Sequence, residues 1–130
     1  MKFSIVFFVL VILTACSKDS PDGIWDDNIK LSQKEVQFDA NENTIVITTE
    51  GEGWWIAEIT LDNANVDISS IDTTVDNFVI DEPEFSIERK NTTEIHITVA
   101  KNETGVERKL LIILEAGDYF DHIIVTQAAN

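Results

Sequence analysis

Cysteine is almost missing from this chain of 130 residues: Cys16 is alone, so no disulfide can close within it. Base is scarce too, with 9 Lys and Arg against 24 Asp and Glu and a net charge of −15. A domain so acidic repels polyanions, which makes nucleic acid, bare anionic lipid surfaces and sulfated polysaccharides poor candidate partners; no nucleic-acid partner is expected. There are two histidines and one cysteine, too few for a zinc site of the usual spacing, and no cofactor is implied. No Gly-x-Ser-x-Gly elbow is present, and a catalytic carboxylate pair drawn from 24 acids would have no weight, so the chain does not read as an enzyme. Proline is rare, and no stretch of useful length has the helical period. Nor is there an apolar run of about 20 residues, the length that a membrane-spanning helix needs.

What is present begins at the N-terminus. Lys2 supplies a positive start, Phe3 to Leu13 a short apolar run, and Leu13-Thr14-Ala15-Cys16 ends it with small residues before the cysteine. This pattern resembles a bacterial lipoprotein signal. The resemblance implies that residues 1–15 are removed, that Cys16 is lipidated, and that the protein is held to a membrane outside the cytoplasm. Two or more acyl chains anchor a protein stably, at about 0.8 kcal/mol per buried methylene. Lipidation also disposes of an otherwise unpaired thiol in an oxidising compartment. Asp19 and Asp22 loosely resemble the signals that send some Bacteroidetes lipoproteins from the outer membrane to the cell exterior.

Residues 16–33 are polar, with Pro21 and Gly23 and no sustained period, and read as the lipidated cysteine and a tether. Trp25 is the odd residue in it, able to dock on the domain or to wait for a partner. From residue 34 to 130 the period is two. Val36 and Phe38 alternate with polar neighbours, as do Ile45 and Ile47 after the turn-rich Asp39–Asn43. Glu50-Gly51-Glu52-Gly53 leads into Trp54–Ile59; Phe78–Ile80 and Phe85–Ile87 are shorter runs. Ile95, Ile97 and Val99 share a face, and two long strands, Glu107–Leu114 and Tyr119–Gln127, flank the turn Ala116-Gly117-Asp118. The pattern predicts an all-β domain, an immunoglobulin-like antiparallel β-sandwich of about seven or eight strands.

The last hairpin resembles a known family. Lys101-Asn102-Glu103-Thr104-Gly105, then Glu107-Arg108, a strand, Gly117, and Ile123-x-Val125-x-Gln127 is similar to the BACON domain, the Bacteroidetes-associated carbohydrate-binding, often N-terminal, domain. Val36-x-Phe38, Ile45-x-Ile47 and a Trp at 54 or 55 follow the same order, and Phe85 stands where the family has a second Trp. The resemblance spans about residues 34–128. It implies an immunoglobulin-like sandwich found with glycan-degrading enzymes or secreted surface proteins, and it carries over no binding motif.

Flat apolar sugar faces stack on aromatic rings, so the candidate carbohydrate-binding residues are Trp54, Trp55, Tyr119 and Phe120, placed at a loop end of the sandwich. Adjacent strand residues face opposite ways, so at most one of Trp54 and Trp55 enters the core. If Ile123, Val125 and Gln127 share a face, Tyr119 and Asp121 share it too, while Phe120 joins His122 and Ile124. His96 and His122 read as surface residues that could pair across strands. Asn63-x-Asn65-x-Asp67 has the alternating oxygens of a calcium loop but lacks its glycine and closing glutamate. Asp72-Thr73-Thr74 looks like a short Bacteroidetes O-glycosylation pattern on an exposed loop. The expected role is a non-catalytic, membrane-anchored accessory lipoprotein of the cell envelope, binding carbohydrate or supporting glycan uptake or degradation. The alternative is a spacer or assembly protein docking another envelope protein, with exposed strand edges as templates.

Overall fold

The computed structural model describes residues 26–130; Cys16 and Trp25 lie outside them. Nine strands follow in order: β1 Glu35–Phe38, β2 Asn43–Thr48, β3 Trp55–Leu61, β4 Ala64–Asn65, β5 Phe78–Asp81, β6 Phe85–Lys90, β7 Glu94–Val99, β8 Arg108–Ala116 and β9 Tyr119–Gln127. They make two sheets, ordered β1-β9-β8-β3-β4 and β2-β7-β6-β5, packed face to face as an immunoglobulin-like sandwich. There is no helix among the described residues.

Alternation drives this arrangement. Ile47, Ile56, Ile59, Ile80, Ile87, Ile97, Ile112, Leu114 and Ile123 all point inward and are at most 3% exposed. Each such side chain contributes about 1.5–3 kcal/mol on burial. Hairpin turns set the register. Gly117, at φ +62, is the first of the two residues joining β8 to β9, where a tight hairpin needs a positive φ. Asp62 and Asn63, at φ +50 and +66, join β3 to the short β4 in the same manner.

Three expectations need correction. The sandwich is not wholly antiparallel, because β1 runs parallel to β9 at the sheet edge, in register from Glu35 with Ile124 to Phe38 with Gln127. Such a pair needs a long connection, and here nearly the whole domain supplies it. Part of the stretch expected as a tether, residues 16–33, belongs to the folded domain, since Ile29 is fully buried and Leu31 bridges Thr49. The Asp27 carboxylate accepts hydrogen bonds from the N–H groups of Ile29 and Lys30, shaping the turn that sends Ile29 inward. Asn28 donates to the Ala116 carbonyl at 3.3 Å. Finally, Thr73 is 7% exposed and its hydroxyl donates to the Ile56 carbonyl at 2.9 Å, so the glycosylation-like triplet has its central threonine inside the fold.

Candidate functional site on the outer face of the five-stranded sheet

The four aromatic candidates go to three places. Trp54 is 1% exposed; its Nε1–H donates to Thr49 Oγ1 at 2.9 Å, and it belongs to the core. It cannot offer a ring to a ligand, so Trp54 is removed from the candidate set. Tyr119 is half-buried, packs on the core rim and donates its hydroxyl to Asp121 Oδ2 at 3.2 Å. Asp121, 6% exposed, accepts Lys34 Nζ at 2.8 Å in an ion pair. Burial, reinforced by the Asp121 and Asp27 charges, raises the Tyr119 pKa above its ordinary 10.0. The bond to Asp121 likewise raises that of Lys34. This corner staples β1 to β9.

Trp55 and Phe120 come together on the outer face of the five-stranded sheet. Trp55 is opposite Glu115, and Glu115 is opposite Phe120, so the three form one row across β3, β8 and β9. At strand spacings of 4.7–4.9 Å, the two aromatic residues are roughly 10 Å apart with the carboxylate between them. A β-bulge at Ala57 keeps both Trp55 and Glu58 outward while Ile56 and Ile59 point in. Trp55 is half-buried and Phe120 57% exposed. The row therefore lies on the outer sheet face at its turn end, one residue from the turn that joins β8 to β9.

The next rows add what sequence reasoning missed. Ile113 lies between His122 on β9 and Glu58 on β3; in the next row Glu35, Ile124, Leu111 and Thr60 follow one another across β1, β9, β8 and β3. Lys109, Leu111, Ile113, Phe120, His122 and Ile124 line a shallow groove of about 390 Å³. The signal was there in Lys109-x-Leu111-x-Ile113, the half of β8 that alternates against the core residues. Because β8 is apolar on both faces, its outer residues read as more core.

Other candidates do not converge. His96 is on β7 in the four-stranded sheet and His122 on β9 in the other, so they do not pair; His96 Nε2 instead lies 3.2 Å from Glu94. Asn63 sits in the β3–β4 turn and Asn65 in β4, with Asp67 capping Ser69 N–H.

The residues that carry the family resemblance gather at the far end as a polar lock. Asn102, fully buried, donates to the carbonyls of Val106 and Ala128 and accepts from the Thr104 N–H and hydroxyl. Arg108 donates to the Ala100 carbonyl and to Gln127 Oε1, and Gln127 Nε2 donates to the carbonyls of Asn41 and Ala100. These bonds tie three loops and the last strand together.

No family model matches the chain, and no curated protein matches it. Among solved structures, it is similar to an NMR structure of a protein from Bacteroides thetaiotaomicron, with a TM-score of 0.66 and 21% identity. That match covers 88% of this chain and 98% of the other, and it shows the shared fold. The twitchin kinase region from C. elegans matches at a TM-score of 0.38 and 10% identity, over 78% of this chain and 16% of that one, too loosely to carry an argument.

Proposed function

We propose that the protein is a non-catalytic accessory lipoprotein with a BACON-like domain, anchored through Cys16 at the cell envelope, that binds carbohydrate in glycan uptake or degradation. The observation that supports it is the Trp55–Glu115–Phe120 row. Two aromatic side chains on one open sheet face offer apolar surfaces to sugar rings, and the carboxylate between them accepts hydroxyl hydrogen bonds. The anchor at Cys16 and the pattern from Lys101 to Gln127 support the address and the family. An acidic domain favours neutral glycans over sulfated or uronate-rich ones.

The test is a broad glycan array probed with the chain lacking residues 1–16, with tryptophan emission followed for each hit. A saturable neutral glycan that shifts the emission is expected. Trp55→Ala should then weaken it roughly 3- to 10-fold, as loss of a stacking contact of about 0.5–1.5 kcal/mol would. Binding that survives both Trp55→Ala and Phe120→Ala would remove the row from the reading. The second reading, an assembly protein, is favoured by the aliphatic groove beside the row.

A further inference from the structure

We propose that this groove docks one segment of a partner protein, an apolar stretch flanked by lysine or arginine. The inference rests on the second reading and is independent of glycan binding at the row. The groove floor is Leu111, Ile113 and Ile124, none fully buried, continuous with the exposed Phe120. Branched aliphatic side chains offer no hydrogen bonds to hydroxyl groups, so a sugar seated there would leave polar groups unpaired. Apolar side chains of a protein lose nothing there, and a floor of this kind inside a polar rim is the anatomy of a protein interface.

The rim decides the partner's charge. Glu35 flanks the floor on the β1 side, Glu58 on the β3 side, and Glu115 closes the turn end. None of the three has an ion-pair partner among the described residues. Lys109 is the one cation lining the groove, at its opposite end, and His122 lies within it. Three unpaired carboxylates around an apolar floor, on a chain of net charge −15, complement a basic partner. A second copy would bring like charges together across the same face, which costs rather than gains.

The experiment uses the full lipidated chain in nanodiscs of neutral lipid. Its probes are two short fluorescent amphipathic peptides of equal length, one of leucine and lysine, the other of leucine and glutamate. The lysine peptide should bind saturably, one per chain, at least about 10-fold tighter than the glutamate peptide at about 0.15 M salt. Ile113→Lys should weaken it about 10-fold. Glu35→Gln with Glu58→Gln, both exposed positions that leave the core untouched, should weaken it about 3- to 10-fold. Val79→Lys, on the opposite sheet, should leave it unchanged.

Equal binding of the two peptides, or indifference to the Ile113 and glutamate variants, would overturn the proposal. So would self-association abolished by Ile113→Lys, because the occupant would then be a second copy. A glycan displaced from the face by Ile113→Lys would likewise assign the groove to sugar. Loss of glycan binding in Trp55→Ala with no peptide binding anywhere would sink the docking site and leave the carbohydrate reading standing.

Discussion

The Arg89 guanidinium carbon stands over the Trp54 indole, 3.7 Å from the ring centre, inside the sandwich. Arg89 is 1% exposed and meets backbone carbonyls instead of a carboxylate. Nε donates to Thr92 at 2.7 Å, Nη1 to Trp54 at 2.8 Å and Val75 at 3.3 Å, and Nη2 to Glu52 at 2.7 Å. The 52–54 stretch, Val75 and the β6–β7 turn are thereby closed around one side chain. Burial lowers its pKa, and the charges of Asp76 and Glu52 oppose that.

Arg89→Met should therefore cost about 3 kcal/mol, because it leaves buried carbonyls without donors as well as removing a stacked cation. Arg89→Lys should recover part of the loss, since an ammonium cannot reproduce the planar fork. Urea denaturation of both variants, followed by Trp54 emission, measures it. A loss under about 1 kcal/mol for Arg89→Met would mean that water replaces the guanidinium.

Gly51 holds the chain start in place. A Cβ on it would stand 1.9 Å from the Asn28 carbonyl oxygen, and its N–H donates to the Ile29 carbonyl at 3.0 Å. Gly51→Ala should push residues 27–31 off the turn and draw Ile29 from the core, a loss of about 2–3 kcal/mol. Amide exchange checks it: the Gly51 and Glu50 N–H groups should lose protection, whereas those of β8 and β9 should keep it.

Period two made the long strands legible, because hydrophobic residues on one face have no other way to be buried. Ile29 was not legible, since one isoleucine among Asp, Asn and Lys has no period to join. Arg89 follows Phe85 and Ile87 on the inward face of β6, yet a charged residue at that place reads as the strand's end. The Trp55–Glu115–Phe120 row was half legible. The two-residue turn fixes Glu115 against Phe120, but the β3–β8 register depends on a bulge and on a connection that spans 47 positions between Asp62 and Lys109. Nothing local encodes such a register.

Thr92 adopts φ +67, a left-handed conformation that a β-branched residue resists. Its carbonyl accepts Arg89 Nε, so the buried network holds the strain in place. Thr92→Asn should relieve it, since asparagine tolerates this region, and should stabilise the protein by about 0.5–1 kcal/mol. A thermal midpoint equal to or below that of the parent would contradict the argument.

Alkali should loosen the β1–β9 corner. Lys34 has its pKa raised above 10.5 by Asp121, so its contribution is complete below 10.5 and fades as pH climbs through the raised value. Tyr119, raised above 10.0 chiefly by burial, acts in the same direction: the unfolded phenol ionises first, which favours unfolding as pH passes 10. Stability should be flat from neutral pH to about 10 and then fall. In Lys34→Met with Tyr119→Phe the fall should be shallower, as urea midpoints across that range would show.

The polar lock of Asn102, Arg108 and Gln127 supplies the last expectation. Its residues carry the family resemblance, yet they lie at the end of the sandwich away from the β8–β9 turn and bond to backbone. Gln127→Ala would leave Arg108 without its side-chain acceptor and the Asn41 and Ala100 carbonyls without the amide donor, a loss of about 2–3 kcal/mol. Ligand affinity at the outer face should not change while the variant stays folded. Parallel measurement of the urea midpoint and of glycan or peptide affinity separates the two. If affinity fell with stability intact, the lock would belong to a binding surface, and the resemblance would mark a site as well as a fold.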